Sequence, residues 1–161
     1  MIQTKTVVDR RKLRFRTIDE VLADVDRIVA ADKAGTLRTT GNWTAGQALG
    51  HVAAWASYPY EGFPLGKLPW FVRVILRMIG KRILRKGMTP GVKIPKVPGG
   101  TFGIEVISTE EGAARLRAAF ERMKRGEPAK YDSPAWGPMT DEDRIGLNLR
   151  HAELHLSFLH P

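Results

Sequence analysis

Cysteine is absent from the 161 residues. That absence removes disulfides, thiolate nucleophiles and cysteine-based zinc sites, and it leaves the redox compartment open. Long apolar runs are missing too. The most hydrophobic stretch, Leu68 to Ile79, is interrupted by Arg73 and Arg77 and is too short to cross a bilayer. Residues 1–16 are polar and basic with no apolar h-region, so no signal peptide is expected and a soluble, cytoplasmic protein is the default. Acidic residues are outnumbered, 17 Asp and Glu against 26 Lys and Arg, giving a formal net charge of +9 and a pI of about 10.2. Such a surface attracts anions. A nucleic-acid or membrane-surface module is the least favoured reading of this charge, because no nucleic-acid motif is present and aromatic residues are not interleaved with the charges.

What remains is ordinary in bulk: 43% hydrophobic and 27% charged residues, enough for one domain over residues 1–161 with a substantial core. Its punctuation is helical. Thr17-Ile18-Asp19-Glu20, Thr44-Ala45-Gly46-Gln47 and Ser108-Thr109-Glu110-Glu111 each read as a capping box, and Thr140 with Asp143 caps a last helix. The apolar periodicities that follow predict four principal helices near 18–34, 44–58, 109–125 and 140–159, with Pro59 stopping the second. A further helix is expected over Trp70 to Lys86. Its apolar stripe is Val72, Leu76, Ile79 and Ile83, flanked by a solvent-facing basic ridge of Arg73, Arg77, Lys81 and Arg85. If that stripe meets a second copy, the protein is a homodimer. Glu61 to Lys67, 87–100 and Glu127 to Met139 are Pro/Gly loops. The basic segment 1–16 reads as a solvated arm with an extended piece at Lys5 to Val8. The fold class expected is all-α: an up-down four-helix bundle with a long crossover and an accessory basic helix.

Three histidines carry the chemistry. His151 and His155 are four residues apart on the last helix, about 40° apart around its axis, and so point the same way. His51 comes from the second helix, on a face shared with Thr44, Gln47, Trp55 and Tyr58. On a helical wheel, Arg144 and Asn148 fall within about 60° of His151, with Leu147, Leu154 and Phe158 on one side of them and Ala152 and Leu156 on the other. Asp143, Gly146, Arg150, Glu153, Ser157 and His160 fill the opposite arc, which reads as the solvent face. Two histidines within a buried arc need partners for a donor and an acceptor each. One answer is a hydrogen-bonded polar seam. The other is a divalent metal, for which three imidazoles with an open position form a catalytic arrangement; zinc or nickel is the first expectation.

Trp43-Thr44 with Gln47 and His51, and His151 with His155, give the chain a likeness to a known family. With Arg11 to Phe15, Leu37 to His51, Lys81 to Gly91 and Ser133-Pro134 through His155, it resembles an uncharacterised branch of the DinB/YfiT-like superfamily of metal-dependent enzymes. The resemblance implies a bundle with a long crossover and a divalent metal held by His51, His151 and His155. Some members of that superfamily are transferases or isomerases that use small thiols. The expectation is therefore a metal-dependent hydrolase or thiol S-transferase acting on a small acidic or thiol substrate. Arg144 and Asn148 would orient the substrate, and Gln47 and Tyr58 would supply hydrogen bonds. No carboxylate shares the histidine face, so a carboxylate base would have to come from a loop, Glu61 or Asp132. The alternative is a non-catalytic metal-binding or stress-related bundle.

Overall fold

The computed structural model describes residues 3–66, 68–95 and 97–161. Met1, Ile2, Lys67 and Lys96 lie outside the described residues, and with them the first two residues of the expected arm, the end of the 61–67 loop and one position of the 87–100 loop. The protein is mostly helical: α1 (Ile18–Lys33), α2 (Ala45–Glu61), α3 (Trp70–Lys86), α4 (Thr109–Lys124) and α5 (Asp141–Leu156). The described residues add one antiparallel ribbon, β1 (Arg38–Thr39) with β2 (Leu159–His160), in which Arg38 faces His160. Single turns of 3-10 helix lie at Thr4–Thr6, overlapping the first two residues of the extended piece expected at Lys5 to Val8, and at Pro98–Gly100. Helix α2 packs most extensively on α4; α1 also lies on α4, α2 on α5 and α3 on α5.

Local chemistry sets the helix starts. Thr17 and Thr44 accept the N–H of Glu20 and Gln47, whose side chains bond back to the cap residue's own N–H. The third expected box forms only by half. Ser108 accepts the Glu111 N–H at 3.1 Å, but the Glu111 carboxylate turns to Arg115 at 2.6 Å instead of closing the box. Pro59 does not stop α2, which runs on to Glu61. Proline removes the N–H that would bond the Trp55 carbonyl, and the helix bears that loss for only two further residues. Gly62 still donates to Tyr58 O, and Lys130 and Tyr131 both donate to the Pro59 carbonyl, tying the 127–139 loop to this end of α2. The last helix ends at Leu156, three residues before the expected Leu159, because Leu159 and His160 leave to pair with β1.

The core is assembled from Val21, Val25 and Ile28 of α1, Leu49 and Val52 of α2, Leu116 and Phe120 of α4, and Leu156 of α5, all without solvent exposure. Small residues set the closest approach. At Gly112 of α4 a Cβ would stand 2.7 Å from the Gly46 carbonyl of α2, and at Gly46 it would overlap the Ile107 carbonyl.

Two expectations are corrected. The arc of α5 read as solvent-facing is covered over its C-terminal part: Arg150, Glu153 and Ser157 are buried and His160 is half-buried in the ribbon, while Gly146 is half-buried and Asp143 is exposed as expected. What covers it is the segment expected to be a solvated arm. Arg10 donates to Ser157 Oγ at 2.9 and 3.0 Å, and Arg11 N–H to the Ser157 carbonyl at 2.8 Å. Phe15 N–H donates to Glu153 Oε1 at 2.6 Å, and Arg150 donates to the Phe15 carbonyl. Arg11 also grips the fully buried Asp24 of α1 with both guanidinium ends, at 2.9 and 2.7 Å. The arm therefore staples α5 to α1. On Asp24 burial pushes the pKa up, but Arg11 and Arg27 outweigh it and hold the carboxyl below its ordinary value.

The second correction concerns α3. Val72, Leu76 and Ile83 are half-buried as expected, but Ile79 is exposed; of the basic ridge, Arg77, Lys81 and Arg85 are exposed as expected and only Arg73 departs. Arg73 is half-buried, and Arg77 donates to the Trp136 carbonyl at 2.7 Å. The turn between Ser133 and Gly137 docks on this face, with Trp136 Nε1–H donating to the Leu76 carbonyl at 2.8 Å.

Candidate metal centre

The three histidines converge. His51 sits at the middle of α2 and is buried, at 2% exposure, while His151 and His155 rise from the last turns of α5 and keep part of their surface at solvent. Their ring centroids lie 4.5 to 4.9 Å apart, and their ligating nitrogens all fall within 4.8 Å of one another. Among the described residues this is the group of His, Cys, Asp or Glu side chains that could hold a metal ion.

A hydrogen bond fixes the ligand atom of His51. Its Nδ1 lies 2.8 Å from the Phe102 carbonyl oxygen, which can only accept, so Nδ1 carries the proton and Nε2 presents a lone pair. That Nε2 is 3.2 Å from His151 Nε2. Two imidazole nitrogens bound to one tetrahedral ion at about 2.0–2.1 Å stand about 3.3 Å apart, so the spacing fits a shared ion. It also fits a direct N–H···N bond when no ion is present. Orienting a ligand imidazole through its other nitrogen is a regular feature of metal sites.

The Phe102 carbonyl reaches His51 because of the next residue. Gly103 has φ +70°, and a Cβ there would stand 2.7 Å from Ala54 Cβ and 3.4 Å from the Tyr58 hydroxyl. Glycine permits both the left-handed backbone and the close passage of the loop over α2.

Aromatic rings enclose the cluster. Trp43, just before the α2 cap, stacks on His155 with centroids 5.1 Å apart and planes at 12°, and its ring lies 4.8 Å from His51. Trp55, one turn on from His51, presents its edge to His51 at 6.2 Å and His151 at 6.1 Å. Its indole N–H is buried with no protein partner. These surroundings hold the imidazoles neutral. Burial drives the His51 pKa down to about 4, against a small upward pull from the Phe102 bond. His151 and His155 are pushed well below the ordinary histidine range, first by the protein packed around them and then by their neighbours' charge. Neutral imidazole is the form that binds a metal.

The other expected residues are spread over a wider area. Tyr58 lies beside Trp55, with ring centroids 5.4 Å apart, and burial raises its hydroxyl pKa. Gln47 is occupied: it closes the α2 capping box and its Nε2 donates to the Ile104 carbonyl at 3.4 Å, steadying the loop that carries Phe102. Asn148 donates to the Arg144 carbonyl at 2.9 Å. Arg144 is buried, bonds to Asp141 and lies over the Tyr60 ring at 5.7 Å, away from the histidines' ring contacts. Of the two carboxylates expected on loops, Glu61 is instead the last residue of α2 and pairs with Arg122 at 3.3 Å, and Asp132 is exposed. Sequence reasoning gave no site role to two members of the site. Trp43 was readable as an aromatic one residue before a cap on the histidine helix. The Phe102 carbonyl, a backbone atom 51 residues from its partner, has no side-chain signature.

Fold and site together define a helical protein with a three-histidine cluster able to hold a metal ion. Residues 7–161 match the family described as "Protein of unknown function (DUF1569)", and the chain belongs to that family. No curated protein and no solved structure matches it.

Proposed function

We propose that this is a metal-dependent enzyme in which His51, His151 and His155 hold one divalent ion, zinc or nickel first among the candidates. The observation that carries the proposal is the His51 tautomer: Nδ1–H is spent on Phe102, and the free Nε2 lone pair faces the two imidazoles of α5. Two further observations support a site open to a substrate. His151 and His155 are half-buried, not sealed as His51 is, and Trp55 brings an unpartnered indole N–H beside the cluster. Such a donor suits a polar group on a bound molecule.

A divalent ion bound there would supply Lewis acidity. This chain's own residues would do the rest. Trp43 and Trp55 would exclude bulk water and fix the ring planes. Trp55 and Tyr58 would donate hydrogen bonds to the substrate. Gln47 would hold the 102–104 loop so that His51 keeps its tautomer. Arg144, once released from Asp141, and Asn148, on the preceding turns of α5, would orient an acidic or polar substrate. The reaction class we favour is hydrolysis or thiol S-transfer. The same proposal includes an up-down four-helix arrangement of α1, α2, α4 and α5 within a single domain over residues 1–161, and membership of the DinB/YfiT-like superfamily. The second reading, a non-catalytic metal-binding bundle, is favoured by the tightness of the Trp43 stack on His155.

The test is metal content and thermal melting of wild type and of His51→Ala, His151→Ala and His155→Ala, purified without chelator or a nickel column. Wild type should retain an ion and gain melting temperature with added zinc or nickel. Each variant should lose both, and His155→Ala should keep its helical circular dichroism. Equal metal content in all four proteins, with no ion stabilising wild type, would reduce the histidines to a polar seam and remove the basis for an enzyme.

A further inference from the structure

Helix α3 has an unusual outer surface. It has no buried residue, whereas each of the other four α-helices has at least seven. Its inner face is spent on the Trp136 turn and on α5, where Leu84 reaches Gly146. Its outer face is divided along the axis. The first half exposes Trp70, Phe71, Val74, Ile75, Met78 and Ile79, with Trp70 at 76% and Met78 at 64%. The second half exposes Lys81, Arg82, Arg85 and Lys86. A contiguous exposed apolar surface of this size on a helix marks an interaction site.

The charge around it identifies the partner. Residues 62–104 contain nine Lys and Arg and not one Asp or Glu, so the whole net charge of +9 falls on this stretch and the rest of the chain balances at seventeen of each sign. The ion pairs among the described residues all lie outside α3. A second copy fits this face poorly. Packed antiparallel over the full length of α3, Phe71 and Ile75 of one copy would meet Arg85 and Lys81 of the other, and a shorter overlap would leave the cationic half uncovered; packed parallel, the cations would face each other. An anionic bilayer surface fits both halves, since it offers an acyl boundary to the aromatic and aliphatic half and phosphates to the cationic half.

We propose that α3 docks the protein in the plane of an anionic lipid surface. Trp70, Phe71, Val74, Ile75 and Met78 enter the headgroup–acyl boundary, and Lys81, Arg82, Arg85 and Lys86 lie against lipid phosphates. The helix is about 26 Å long at 1.5 Å per residue and lies on the membrane without spanning it. No helix among the described residues is long and apolar enough to cross a membrane. This docking is independent of metal binding by the histidines.

The experiment is co-sedimentation of the full chain with vesicles of phosphatidylcholine alone or mixed with phosphatidylglycerol, at low and high salt. Partitioning should be at least about tenfold stronger to the mixed vesicles and should weaken with salt. Tryptophan emission should shift to the blue on binding, and Trp70→Phe should reduce that shift. The double variants Phe71→Ser/Ile75→Ser and Lys81→Glu/Arg85→Glu change only exposed side chains, and each should lower binding about tenfold with unchanged circular dichroism. Failure to bind mixed vesicles at low salt would overturn the proposal. So would undiminished binding by Phe71→Ser/Ile75→Ser, which would leave bulk charge as the whole cause. A wild-type dimer in sedimentation that the same variant dissociates would assign the face to a second copy. Binding to a DNA oligonucleotide without binding to vesicles would assign it to polyanions.

Discussion

Acidification of the metal-free protein should reveal the histidine cluster as a liability. In the folded chain His51 holds a pKa of about 4, while in the unfolded chain it returns to about 6.5. Between these values the unfolded state binds more protons, so stability falls as pH drops. The contribution is intact above about pH 6.5, is reduced by about 2 kcal/mol at pH 5, and has lost about 3 kcal/mol at pH 4. His151 and His155 shift in the same direction and steepen the loss. Glu153 acts the other way, because burial raises its pKa against the Phe15 N–H and the Arg150 and Arg14 charges. A difference between two proteins removes that background. Urea unfolding of wild type and His51→Gln, in chelator, at about pH 7 and about pH 5, should give a smaller acid loss in the variant by about 2 kcal/mol. Equal losses would mean that His51 titrates normally in the folded chain, and the burial argument for a neutral ligand set would fail.

Two further substitutions test the frame. Gly46→Ala drives a methyl into the Ile107 carbonyl, backbone that cannot rotate away, and should cost about 3 kcal/mol in urea unfolding; a loss under about 1 kcal/mol would mean that α2 and α4 can part freely. Asp24→Ala removes the buried carboxylate that half-buried Arg11 holds and should destabilise by about 2–3 kcal/mol, below the full range for a buried pair because Arg11 keeps some solvent and the Leu156 carbonyl, whereas a surface pair such as Arg38 with Asp9 should be worth less than about 1 kcal/mol.

Short-range chemistry was the legible part of this chain. The Thr17 and Thr44 caps and the α3 boundaries depend on neighbours within four residues, and they form as the spacing implies. The histidine pair of α5 was legible for the same reason, since a four-residue spacing dictates a common direction whatever the helix packs against. His51 joined it only through the tertiary packing of α2 on α5, which the caps do not encode. The solvent arc of α5 misled for the converse reason. A wheel registers polarity, and Arg150, Glu153 and Ser157 are polar, but they are buried by matching polarity in an arm more than 130 residues away. Pro59 likewise signals a stop, and only the partners of its carbonyl reveal a helix that continues through it.

The arm has a consequence for synthesis. Arg10 and Ser157 are 147 residues apart, and Phe15 and Glu153 are 138. Residues 10–16 leave the ribosome long before α5 exists to receive them, and during that interval their five basic side chains keep the strand solvated and unattractive to other nascent segments. Docking of the arm would then be a late event that closes a loop spanning nearly the whole chain, with the ring-closure entropy this entails. α1 and α5 would stay loosely joined until Arg11 reaches both Asp24 and the Leu156 carbonyl. Any fault in the arm would therefore be felt at the far end of α5, in the turns that carry His151 and His155.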